Sequence, residues 1–182
     1  PAYSLLALNF LKSGDEANAI YNYDQAFKHE NKPERKVQYK MQVVKYYMKN
    51  GDTQAAQQHI AEAKAVAPDD MDILYYEAKL ANQNGDHETA KSSMLSAVSK
   101  LGDAQPAQSA KFYYELGLAY NNLGNYENAK KAWEKANFGN YRKLIAAELS
   151  KNSPGFYYKK AVSYYSAGQY DESRAEVQKA LE

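Results

Sequence analysis

The side chains able to do chemistry are few and far apart. His29, His59 and His87 do not share a short segment, and no His-x3-His pair offers two imidazoles to a metal from one helical face. They read as scattered surface residues. The carboxylates of Glu16, Asp69, Asp70 and Glu88 stand where helices are expected to begin, and the positive end of a helix macrodipole accounts for them without catalysis. There is no cysteine, which removes disulfides, thiolate metal sites and cysteine nucleophiles. No glycine-rich phosphate loop, nucleophile elbow or paired metal motif occurs. No catalytic, cofactor-binding or metal-ligating residue is therefore assigned, and no enzyme is expected. What stands out is tyrosine, with 18 copies, many in adjacent pairs: Tyr46-Tyr47, Tyr75-Tyr76, Tyr113-Tyr114, Tyr157-Tyr158 and Tyr164-Tyr165. A phenol has a large apolar body, a polar tip and few rotamers, which suits a binding surface.

The elements that must position these rings show themselves as a repeat. A Gly followed by a polar residue recurs as Gly14-Asp15, Gly51-Asp52, Gly85-Asp86, Gly124-Asn125 and Gly168-Gln169, at spacings of 37, 34, 39 and 44 residues. Small residues fall in register around each turn. Ala7, Val44, Ala78, Gly117 and Ala161 precede it; Ala19, Ala56, Ala90, Ala129 and Ser173 follow it; Ala26, Ala63, Ala97, Ala136 and Ala180 come seven residues later. Small side chains at a helix crossing let two backbones approach closely. Gly closes one helix in the left-handed conformation, and the next polar residue caps the following helix. Each unit reads helix, Gly-polar turn, helix.

The fourth copy, from Tyr113, Tyr114, Leu116, Gly117, Leu118, Ala119 and Tyr120 through Gly124 and Tyr126 to Ala129, Trp133 and Ala136, resembles the tetratricopeptide pattern, with Tyr113 in place of the family's Trp. The first copy is similar through Tyr3, Leu6, Ala7, Phe10, Gly14, Ala19, Tyr23 and Ala26, and the second through Val43, Tyr47, Gly51, Ala56, Ile60, Ala63 and Pro68. The third and fifth depart from it: Glu77 and Lys160 replace the expected Leu, and Ala81 an aromatic residue. The resemblance implies an all-α fold, a right-handed superhelical α–α solenoid of about five helix pairs. The expected units are approximately 1–33, 37–69, 71–103, 110–140 and 154–182, in a single repeat domain spanning 1–182. The wide last spacing leaves extra residues at about 138–153, where Leu144, Ile145 and Leu149 share a helical face. A short inserted helix, or an extension of a neighbouring one, is expected there, interrupting the stacking of the fourth and fifth units.

In this family the first helix of each pair lines a concave groove that binds partners. Transferring those positions places Tyr75, Tyr76, Tyr114, Tyr158 and Tyr165 in the groove with Lys12, Lys45, Lys49, Lys79, Lys111 and Lys159, against only Asp72 and Glu115. The groove then carries about +4 on a chain of net charge +1. The resemblance thus implies a protein–protein interaction module holding a peptide or partner segment with acidic groups, and Tyr75, Tyr76, Lys79, Lys111, Tyr114, Lys45, Lys49, Tyr158 and Tyr165 are the candidate contacts. The clamp by which chaperone-binding members hold a C-terminal carboxylate is not matched. One frame gives Ser4, Leu8, Gln42, Asp72 and Tyr76, and the next gives Met41, Lys45, Tyr76, Lys111 and Glu115.

A second expectation is a structural scaffold that self-associates, for instance as a homodimer through its terminal helices, since Val177, Ala180 and Leu181 leave the last helix apolar. Nucleic acid is disfavoured by the small net charge and by only three arginines, Arg35, Arg142 and Arg174. No run approaches the roughly 20 apolar residues of a membrane span. No signal peptide is visible, the compartment is left open, and the start at Pro1 inside a helical pattern leads us to expect a piece of a longer protein.

Overall fold

The computed structural model describes residues 2–151 and 153–181; Pro1, Asn152 and Glu182, which fall in the expected first unit, insertion and last unit, lie outside the described residues. Among the described residues there are eleven helices and no strand: α1 (Ala2–Lys12), α2 (Glu16–His29), α3 (Pro33–Lys49), α4 (Thr53–Val66), α5 (Met71–Asn84), α6 (His87–Val98), α7 (Pro106–Asn122), α8 (Tyr126–Ala136), α9 (Tyr141–Lys151), α10 (Pro154–Ser166) and α11 (Tyr170–Leu181).

The hairpins α1–α2, α3–α4, α5–α6, α7–α8 and α10–α11 are closed by one recurring turn. At Gly85, φ is 82°, a conformation open to Gly without a Cβ penalty, and the Asp86 N–H reaches back to the Ala81 carbonyl at 2.9 Å. The same backbone bond joins Asp15 to Phe10, Asp52 to Tyr47, Asn125 to Tyr120 and Gln169 to Tyr164. The polar residue then opens the next helix. Asp15, Asp52, Asp86 and Asn125 accept from the backbone N–H of Asn18, Ala55, Thr89 and Asn128, satisfying a donor the helix cannot.

The small-residue columns lie at the helix crossings. Ala7, Ala19, Ala56, Ala63, Ala78, Ala90, Ala97 and Ala136 are fully buried, and Ala129 and Ala161 nearly so. Packing is closest at Gly117, where an added Cβ would lie 2.2 Å from Trp133 Nε1. In the last hairpin Ser173 Oγ donates to the Ala161 carbonyl at 2.9 Å, so a small polar residue does the same job.

Neighbouring hairpins stack through four buried clusters, joining α1–α3, α3–α5, α5–α8 and α7–α9. Along the array α3 touches α5, and α5 touches α7, which puts the first helices on the inside of the curve. The chain is therefore an α–α solenoid. After α8 the stacking changes: α9 rests lightly on α7 and α8, and the α10–α11 hairpin meets the array chiefly through α9.

Candidate functional site on the concave face

The inner face begins on α1 with an apolar strip. Leu5 is 62% exposed, and Leu8 and Leu11 are also exposed. Beside it, Leu11, Gln42, Lys45, Tyr46 and Lys49 border a shallow cleft of about 140 Å³ whose base is Ile20 and Tyr23 of α2. Lys45 Nζ lies 5.8 Å from the centre of the Tyr76 ring. Lys49 is held by Glu16 at 2.7 Å, so its charge is already met from α2.

The central stretch is more enclosed. Tyr75 is 8% exposed, with its ring edge-to-face on Tyr76 (5.0 Å) and on Phe112 (5.8 Å). Lys79 lies 6.0 Å from the Tyr75 ring centre, and Lys111 lies over Tyr75 and Phe112 at 4.8 and 4.7 Å while pairing with Asp72 at 2.7 Å. Tyr114, 9% exposed, packs against Tyr141 of α9 with centroids 5.3 Å apart. The Tyr75 hydroxyl lies close to that of Tyr141. Burial and nearby carboxylates raise all three groove phenols: Tyr75 well above the usual range, Tyr76 to about 12 beside Asp72, and Tyr114 to about 12 beside Glu148. They are neutral hydrogen-bonding groups at any physiological pH.

Glu115 sits beneath them, buried, with its carboxylate accepting from Asn82 Nδ2 at 3.0 Å. Burial raises its pKa, and neither Asn82 nor the Lys79 charge fully offsets that. At the far end Tyr158 and Tyr165 are 63% and 65% exposed, and Tyr165 stacks edge-on with Tyr170.

The expected contact residues thus fall into three groups. Lys45 lies beside Tyr76 and Lys79 beside Tyr75, neither of them in a salt bridge among the described residues. Tyr114 is covered by Tyr141 of α9, Tyr75 is buried in the core against Tyr76, Phe112 and Lys111, and Lys49 and Lys111 are neutralised by Glu16 and Asp72. Tyr158 and Tyr165 are open but stand on a hairpin offset from the rest. The sum of +4 omitted Glu16, which comes from a second helix.

One histidine departs from the surface reading. His59 is mostly buried, its ring stacked on Tyr47 at 5.2 Å, beside a cluster of Asp24, Lys40 and Glu62. Lys40, with 0% exposure, places Nζ 2.5 Å from Asp24 Oδ1, 2.6 Å from Glu62 Oε2 and 3.3 Å from His59 Nδ1, over the Phe27 ring at 4.0 Å. Burial and the Lys40 charge lower the His59 pKa, which keeps the imidazole neutral. Asp24, His59 and Glu62 bring ligand atoms within 4.8 Å of one another, but the ammonium of Lys40 already stands among them. The cluster ties α2, α3 and α4 together. A sequence signal did exist: Lys40 occupies the column in which the other units carry Tyr3, Leu74, Tyr113 and Tyr157.

Stacked helix pairs around an open trough are the architecture of an interaction scaffold. Models of the tetratricopeptide repeat match residues 44–106, 110–137 and 154–182, together more than half of the chain. The chain belongs to the tetratricopeptide repeat family, whose members bind protein partners and are generally non-catalytic.

Among solved structures it is similar to MamA (20% identity over 97% of this chain and 92% of that one, TM-score 0.59). It is also similar to the 41-end piece of MamA from Desulfovibrio magneticus RS-1 (18% identity, 99% and 92%, TM-score 0.59). A chain of the APC/C hetero-tetramer Cut9-Hcn1 is matched over 100% of this chain but 32% of that one (21% identity, TM-score 0.60). At these identities the likeness is one of fold. No curated protein sequence matches the chain. No helix among the described residues is long and apolar enough to cross a membrane.

Proposed function

We propose that the chain captures an extended or helical segment of another protein along the inner face from α1 to α5. The segment's apolar side chains meet Leu5, Leu8 and Leu11, and its carboxylates meet Lys45 and Lys79. The carrying observation is that neither Lys45 nor Lys79 is in a salt bridge among the described residues, while each lies near a tyrosine ring and Lys45 shares a cleft with Leu11 of the exposed leucine strip. A cation held beside aromatic faces next to uncovered apolar surface suits an acidic, amphipathic segment.

Peptides selected from a random display library on the intact chain test this. They should share acidic and apolar positions and lose at least roughly tenfold in affinity, about 1.4 kcal/mol, on a Leu8→Asp, Lys45→Glu variant. Equal binding to both chains rejects the groove assignment.

Self-association is the second reading, favoured by Val162, Val177 and Leu181 exposed at one end and Leu5 and Leu6 at the other. Light scattering over a concentration series would then show a rising mass; a constant monomer mass excludes it.

A further inference from the structure

We propose that the middle of the groove is a subsite for a partner's tyrosine side chain, and that α9 fills it with Tyr141 until such a side chain displaces it. This rests on the groove reading above. Tyr141 belongs to none of the repeated hairpins, yet its ring packs on Tyr114 and against the cluster of Trp133 and Ile145, with its hydroxyl close to that of Tyr75 and to the buried Glu115. These are groove positions of two successive units, converging on one ring from outside the repeat. The phenol is therefore held as a ligand would be, by an aromatic wall with a second phenol beside its polar tip.

The attachment of α9 is narrow. Of its side chains only Ile145 is buried and Tyr141 and Glu148 are half-buried, a single stripe at positions i, i+4 and i+7. Leu144, Leu149, Arg142 and Lys143 point to solvent. A helix held by one stripe opens at lower free energy than a helix packed on several sides. The turn at Gly139 (φ 54°) and Pro154, at the start of α10, bound α9 on its two sides, so no continuous helix holds it down.

Departure of Tyr141 would uncover the Tyr114 ring and take away the polar neighbour of the Tyr75 hydroxyl, which disfavours an empty subsite. A partner phenol restores both the ring contact and a polar group beside the Tyr75 hydroxyl. An aliphatic side chain restores neither, so the subsite should prefer Tyr over Leu.

The test uses the full chain and a fluorescently labelled synthetic peptide of residues 139–151 as probe. Replacing both anchors, Tyr141→Ala with Ile145→Ala, should tighten peptide binding by at least roughly tenfold over the unaltered chain. A peptide carrying Ala in place of its Tyr should lose that gain, and adding Tyr75→Phe to the variant should reduce it. Equal affinity for the two chains, with matching circular dichroism, overturns the proposal.

A second measurement needs no variant. In the unaltered chain, α9 amides should exchange at least roughly tenfold faster than those of α7. Excess peptide should speed α9 further. Amides in α9 as protected as those in α7 overturn the proposal even if the double variant fails to fold. Display-selected peptides that bind the unaltered chain and the double variant equally leave the groove reading standing and overturn the strap. Binding of no peptide to either chain overturns both.

Discussion

Trp133 lies across Gly117 with its indole N–H donating to the Tyr114 carbonyl at 3.3 Å, so the α7–α8 crossing is set by a bulky ring occupying the place of a missing side chain. Trp133 is buried and is the single tryptophan of the chain. It therefore reports on this crossing without interference.

Gly117→Ala should force the indole aside. Overpacking of this kind costs about 1–3 kcal/mol. Thermal melts should show a lower Tm, and tryptophan emission should shift toward the red as the ring gains solvent. Unchanged emission and Tm would mean that the crossing relaxes without cost.

Lys40→Met keeps the bulk of the side chain but leaves Glu62 without its cation and Asp24 with only the exposed Lys28. Removal of one partner from a fully buried pair costs about 3–5 kcal/mol; Glu62 is partly solvated, so about 2 kcal/mol is expected from urea unfolding. In a Lys40→Ala variant the carboxylates and the His59 imidazole could instead take a zinc ion. Added Zn²⁺ should then raise the Tm of that variant and leave the unaltered chain unmoved.

Stability should fall in two stages as the pH is lowered. The folded pKa of His59 is held below 6.5 by burial and by Lys40, so the unfolded chain takes up that proton first and stability begins to drop below about pH 6.5. Burial pushes the Asp24 and Glu62 carboxyls up, but hydrogen bonds from Lys28 and Lys40 to the first, and from Lys40 and Gln58 to the second, outweigh it and hold both below their ordinary values. Their contribution is complete above about pH 4.5 and is lost as the pH falls through their folded pKa values. His59→Asn should flatten only the first stage, seen as Tm against pH.

Glu115 behaves in the opposite sense. Its folded pKa is raised by burial, so its charge destabilises the fold once the pH rises above the unfolded value near 4.5. Glu115→Gln keeps an oxygen to accept from Asn82 and should raise the Tm at pH 7 by about 2–4 °C, the shift that ~1 kcal/mol produces in a chain of this size. The gain should vanish below about pH 4, where both forms are neutral.

What could be read from the sequence was local. The Gly-polar turns and the columns from Ala7 to Ala161 depend on residues within one hairpin, so spacing alone located them. The covering of Tyr114 was not legible, because Tyr141 comes from outside the repeat. The Lys40 cluster draws on three helices, and its one trace, a lysine in a column of Tyr and Leu, carries no information on which carboxylates would answer it. The groove charge was overcounted for a related reason: Glu16 reaches Lys49 from a helix assigned to the outer face.

The narrow footing of α9 also bears on how the molecule responds to mechanical load. A stack of equal steps shares tension among its joints. Here one joint is thinner than the rest, so a pull on the carboxyl end would be relieved at α9 by swinging the final hairpin away. The hairpins from α1 to α8 would keep their curvature, with the last pair acting as a hinged arm on an otherwise stiff spring.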